Sequence, residues 1–148
     1  MKHSPLILVL LAAQLLFLPG CAGKSSQQPR LQSLGNGTCQ DTVSGRMWQI
    51  ERSTMTASLK DAEQYVRGLN LGGYTDWRLP TTNELFELTS FFDLFQNGDC
   101  TLEREGSYWS SEKDGPGKAG AWEITATQCD PAREYAPDSK GYVRAVRP

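Results

Sequence analysis

Four cysteines, one histidine and a pair of glutamates one helical turn apart are the side chains whose types and spacing suit chemistry. The cysteines are Cys21, Cys39, Cys100 and Cys129, and the histidine is His3. With the only imidazole so close to the start, the rest of the chain lacks the base for a histidine-dependent triad or a Cys–His nucleophile. It also lacks the ligand of the common zinc sites. Glu84 and Glu87 could act as a carboxylate pair, but Glu84 has a second reading as the closing residue of a helix cap. Cys39, Cys100 and Cys129 can pair in three ways and leave one thiol over. We favour Cys100–Cys129. It closes the shortest loop, and both residues sit in turn-like contexts, Asn97-Gly98-Asp99-Cys100 and Cys129-Asp130-Pro131. No CxxC is present, so metal ligation by these thiols is the weaker idea and no metal or cofactor is expected.

Cys21 belongs to a different chemistry. Lys2 and His3 precede an apolar run from Leu6 to Leu18, too short to span a bilayer, and Leu18-Pro19-Gly20-Cys21 closes it. This resembles a bacterial lipoprotein signal peptide, in which the cysteine after the cut becomes the acylated N-terminus. Pro19 departs from the usual occupant of its position, and an ordinary secretory leader is the alternative. The resemblance implies a leader over 1–20, lipid attachment at Cys21 and contact with the membrane through several acyl chains. Ala22, rather than aspartate, after the cysteine implies the outer membrane. An oxidising envelope compartment follows, where disulfides persist.

Residues 21–37 are polar, with Lys24, Ser25, Ser26, Gln27, Gln28 and Pro29, and read as a flexible tether. A single folded module is expected over 38–148. The chain carries 15 Lys and Arg against 17 Asp and Glu, and only Lys2 of the basic set lies in the leader. No basic stripe exists, so nucleic acid is not an expected partner.

Within the module, Thr38 to Ile50 reads as two extended pieces about a Ser44-Gly45 turn. Ser58-Leu59-Lys60-Asp61 has capping-box character, and Leu59, Ala62, Tyr65, Val66 and Leu69 recur at helical spacing, which predicts a helix over about 59–69. Thr81-Thr82-Asn83-Glu84, after Pro80, predicts a second helix carrying Leu85 and Leu88. Tyr108-Trp109-Ser110 and Ala121-Trp122-Glu123-Ile124 read as short strands. Tyr142 to Arg147 alternates, with Val143 and Ala145 on one face and Arg144 and Val146 on the other. The order predicts an α+β domain with early helices and a mainly antiparallel sheet.

Gly45-Arg46-Met47-Trp48-Gln49, Leu71-Gly72-Gly73-Tyr74-Thr75-Asp76-Trp77-Arg78-Leu79-Pro80-Thr81, Glu84-Leu85, Tyr108-Trp109-Ser110-Ser111 and Val143-Arg144-Ala145-Val146-Arg147 occur in this order. Together they resemble the Lcl C-terminal domain family, named after a bacterial collagen-like adhesin, over roughly residues 38–148. The resemblance implies a C-type-lectin-like fold, similar also to formylglycine-generating enzymes. Two helices would pack on a twisted sheet with long loops at one end. No Gly-X-Y tract precedes the domain here, so trimerisation by that route is not expected, and the adhesin's glycosaminoglycan binding transfers poorly.

Most of these motifs have a structural account. Trp77 and Leu79 alternate inward, Asp76 and Arg78 pair or bond backbone, and Trp48, Trp109 and Trp122 read as core. A sugar-stacking platform needs one indole exposed. Arg144 is matched by residue type to a carboxylate such as Asp76; anion recognition by Arg144 and Arg147 is the sharper alternative. The sugar-binding triplets of calcium-dependent lectins are missing, and Asn97, Asp99 and Glu112–Asp114 read as solvated turn residues. Glu84, Glu87, Glu103 and Glu105 are the carboxylates a polysaccharide hydrolase would use, but an enzyme is not expected. The expected function is a lipid-anchored recognition module of the cell envelope, binding a glycan or protein through loops at about 95–120 and 126–141, as in adhesion. The alternative is a structural lipoprotein subunit of a secretion or surface-appendage assembly.

Overall fold

The computed structural model describes residues 28–112, 115–127 and 130–148. Its elements are β1 (Leu31–Ser33), β2 (Thr38–Asp41), β3 (Met47–Gln49), α1 (Leu59–Gly68), α2 (Thr82–Asp93), β4 (Tyr108–Trp109), β5 (Ala119–Thr127), β6 (Asp130–Asp138) and β7 (Val146–Arg147). They make a four-stranded sheet in the order β1-β2-β3-β7 and a three-stranded sheet in the order β4-β5-β6, both antiparallel. The fold is α+β, as the order of sequence signals predicts.

Both helices begin where their caps are written. The Ser58 hydroxyl accepts the Asp61 N–H, and the α1 stripe buries Ala62 and Val66. At α2 the Thr81 hydroxyl accepts the Glu84 N–H while the Glu84 carboxylate accepts the Thr81 N–H, a reciprocal capping box.

Neighbouring residues of β3 serve opposite cores. Trp48 enters a cluster with Leu31, Leu85, Leu88, Phe91 and Val146. Met47 enters a second with Ala62, Val66, Trp77, Leu79, Val143 and Ala145. Because successive strand side chains point to opposite faces, β3 and residues 143–146 form a partition with α2 on one side and α1 on the other. The alternation expected for Val143 to Val146 holds, with both faces buried: Val143, Ala145 and Val146 are fully enclosed and Arg144 is 2% exposed.

Three expectations are corrected here. Residues 31–33, read as tether, form β1, whose Ser33 pairs with Cys39 of β2. The segment 126–141, read as a loop, is mostly strand, because β5 and β6 pair in register from Ala119–Asp138 to Thr127–Asp130. The disulfide joins Cys39 to Cys100, with Cα atoms 6.1 Å apart, and not Cys100 to Cys129. Loop-closure entropy grows only logarithmically with length, so the shorter loop held little advantage. Co-burial of Cys39 and Cys100 in the α2-side core decided the pairing. Cys129 and Cys21 lie outside the described residues.

Candidate functional site

A cavity of about 290 Å³ opens between α2, the 102–106 segment and β5. Leu85 and Leu88 of α2, Leu102 and Tyr108 give it apolar walls, and Trp122 of β5 stands at its side. Gly120 has no room for a side chain there, since a Cβ would run into the Tyr135 ring and the Ala136 carbonyl.

Trp122 is held from three directions. Its indole N–H donates to the Thr82 carbonyl at 3.0 Å. Its ring meets Phe86 edge-on at 4.9 Å and Tyr135 at 5.6 Å between centroids. Trp48, Trp77 and Trp109 are all buried, whereas Trp122 is half-buried and keeps part of its ring open to the cavity. The core reading therefore holds in full for three indoles and in part for Trp122, which packs against the α2-side core from the middle strand of the three-stranded sheet and keeps its other side toward the cavity. Burial pushes the neighbouring Tyr135 phenol up to about 12, so it remains a neutral hydroxyl.

Arg144 lies at the base of the cavity. Its Nη1 donates to the carbonyls of Gln49 and Ile50. Its Nη2 donates to the Glu103 carbonyl at 2.6 Å and to the Tyr108 hydroxyl at 3.3 Å. The Tyr108 hydroxyl in turn donates to the Glu103 carbonyl at 2.6 Å. Arg52 reaches the same hydroxyl at 3.2 Å and stacks on Tyr142 at 3.7 Å. Burial pushes the Arg144 guanidinium down, and Tyr108 opposes that shift. A guanidinium keeps its proton under these conditions. Among the described residues no carboxylate forms an ion pair with Arg144, so a buried positive charge lies beneath an opening where Glu103, Glu105 and Glu123 are exposed.

The carboxylate expected for Arg144 belongs to another arginine. Asp76 accepts from Arg147 Nε at 2.7 Å and Nη2 at 3.0 Å, which holds its carboxyl below the usual range. Arg78, expected to pair with Asp76 or bond backbone, does the latter through Nη1 to the Leu79 carbonyl and otherwise clasps Glu84. Side chains two apart on an extended backbone share a face, yet each of these reaches a different element.

The Glu84–Glu87 pair is bridged by one arginine. Arg46 Nη1 donates to Glu87 at 2.9 Å, and its Nε is 3.4 Å from Glu84. Burial pushes Glu84 up, but Arg78, the Thr81 N–H and Arg46 outweigh it and hold the carboxyl below the ordinary value. A carboxylate so fully engaged is a clamp for the start of α2. Glu103 and Glu105 instead edge the cavity. Among the described residues, no group of three or more His, Cys, Asp or Glu side chains gathers as a metal-ligand set.

Of the two loop segments expected to bind, the structure brings residues 102–106 of the first to the cavity and replaces the second by the β5–β6 hairpin. Sequence reasoning missed Trp122, Phe86 and Tyr135 as a group. The alternation of Trp122 with its strand neighbours was the available signal, since it places one ring on the face toward α2.

No curated protein matches the chain, and no solved structure does. The family comparison is positive: residues 37–147, from the start of β2 through β7, match the model of the Lcl C-terminal domain. The chain belongs to the Lcl C-terminal domain family.

Proposed function

We propose that the domain is a non-catalytic recognition module of the bacterial cell envelope, held to the membrane by acylated Cys21, and that it binds a glycan in the cavity beside Trp122. The fold reading that accompanies this is C-type-lectin-like, supported by one helix on each side of a central sheet and by β7 returning to pair with β3. The observation that carries the proposal is Trp122 itself. It is the only indole of the four left partly open, and it is pinned by the Thr82 carbonyl so that its face stays in place. A fixed aromatic ring beside polar groups suits a sugar, whose C–H face stacks while its hydroxyls find acceptors and donors. Glu103, Glu105 and Glu123 provide those acceptors, and their charge favours neutral or amino sugars over sulfated ones.

The test is binding of the intact chain across a broad glycan array, followed by titration of Trp122→Ala and Glu103→Gln. Saturable binding weakened at least about tenfold by Trp122→Ala, in line with loss of a stacked aromatic anchor, supports the reading. Binding untouched by both substitutions sinks the cavity assignment. A structural role in a secretion or surface-appendage assembly is the second reading, favoured by the exposed apolar side chains of Leu34 and Met55. A constant stoichiometric protein partner in detergent extracts, with a blank array, would move it to first place.

A further inference from the structure

The turn that ends α2 carries an aromatic residue where backbone conformation favours glycine. The Gln96 N–H donates to the Phe91 carbonyl at 2.7 Å and the Phe95 N–H to the Phe92 carbonyl at 3.1 Å. These are the two hydrogen bonds of a Schellman termination. Phe95 occupies its left-handed position, with φ 56°, a conformation that a Cβ disfavours. Its ring is 89% exposed, and the adjoining Leu94 is 56% exposed. Glycine would close the same two hydrogen bonds without that penalty, and a ring so exposed packs little against the domain.

The same turn holds the chain at the point where it leads back toward Cys21. The Gln96 carbonyl accepts the N–H groups of both Arg30 and Leu31, at 2.7 and 3.0 Å. Gly98 allows that approach, because a Cβ there would collide with the Leu31 carbonyl. On the other side, the Thr42 N–H donates to the Arg30 carbonyl at 2.8 Å, and the next residue, Val43, is 75% exposed. Arg30 is itself fixed by two hydrogen bonds to Asp41 and lies over the Phe91 ring at 4.4 Å. Three exposed apolar side chains therefore flank a rigid exit point. The nearby charges are engaged within the protein, Arg30 by Asp41, Asp93 by Arg104 and Arg133, and Asp99 by the Ser33 N–H.

We propose that Leu94, Phe95 and Val43 form a membrane-contacting face seated on the phospholipid bilayer that carries Cys21. This rests on the reading of Cys21 as the acylated residue. Cys21 and Arg30 are nine positions apart, so the connection reaches about 30 Å at full stretch. A domain of this size has a radius of gyration of about 13 Å. The connection is thus no longer than the domain is wide, so the exit face cannot turn wholly away from the lipid. Apolar side chains at such a face enter the headgroup boundary, which removes their surface from water without a protein partner.

The test uses the lipidated full chain carrying Phe95→Trp, in phosphatidylethanolamine–phosphatidylglycerol vesicles with and without brominated acyl chains. After subtraction of the wild-type signal, brominated lipid is expected to lower the added emission at least about twofold, as for a ring at headgroup depth. Mass spectrometry of the same vesicles reports whether Cys21 carries acyl chains. An acylated chain whose added tryptophan is unquenched overturns the docking face and leaves the anchor standing. Unquenched but blue-shifted emission also overturns it, placing the ring against a second copy or another protein. A chain without acyl groups overturns the anchor reading and this inference together. Phe95→Gly, which suits the turn, keeps the domain folded and should lose the vesicle-dependent protection of residues 94–98 against hydrogen exchange.

Discussion

Arg78 and Glu84 clasp each other through two hydrogen bonds of 2.7 Å each, while the same carboxylate caps α2 through the Thr81 N–H at 2.9 Å. One side chain thereby joins the extended segment before Pro80 to the helix after it. Glu84→Gln should destabilise the domain by about 2 kcal/mol at neutral pH, from the charged hydrogen bonds and the weakened cap. Urea unfolding measures it.

The pH dependence has a definite sign. The carboxyls of Glu84 and Asp41 are both held below their ordinary values. For each, burial acts upward and is outweighed by arginine and hydrogen-bond donors. Their contribution is complete above the ordinary glutamate value of 4.5 and disappears as pH falls through the lower folded-state values. Stability should therefore fall on acidification below about pH 4.5, and less steeply in Glu84→Gln. An equal slope in the variant would show that Glu84 is not among the groups responsible.

Arg144 ties three segments together through carbonyls and a phenol rather than through a carboxylate. Lysine lacks the forked donors to reach them all and would leave buried carbonyls unmet. Arg144→Lys should cost about 3 kcal/mol or more. It should also speed amide exchange in residues 103–108 before the rest of the domain. Uniform loss of protection would instead assign Arg144 to general core stability.

The disulfide makes a covalent prediction. Non-reducing peptide mapping should recover Cys39 linked to Cys100, and Cys129→Ser should leave that link intact. With the two cysteines 61 positions apart, the double replacement by serine should cost about 4 kcal/mol on the chain-entropy account.

At the end of α2, Phe95→Gly should stabilise the domain in solution by about 1 kcal/mol, because glycine takes the left-handed conformation without the Cβ penalty. Thermal unfolding in the absence of lipid reads this directly. A loss of stability would mean that the Phe95 ring has packing partners after all.

Much of the fold was legible because its signals are local. Ser58 with Asp61 and Thr81 with Glu84 announced both helices within four residues, and the Trp77–Leu79 alternation announced two buried side chains. The long β5–β6 hairpin was hidden by Asp130-Pro131 and Pro137, which read as loop punctuation although the strands pair around them. The partners of Arg144 were illegible for another reason. Backbone carbonyls are present at every position and leave no mark in residue types. The exposed Phe95 escaped notice because Gly98, three residues on, drew the turn signal to itself. The cavity formed by Leu85, Tyr108 and Trp122 depends on three segments meeting, which no single window of sequence contains.

The partition between the two cores bears on when this chain can fold. Trp48 pairs with Val146, and the Gln49 N–H donates to the Ala145 carbonyl. Neither core closes until residues 143–146 have been synthesised and are free to insert. Contacts of such long sequence separation form late. A domain built this way gains its two cores together, when its last strand docks on β3, and not one helix at a time.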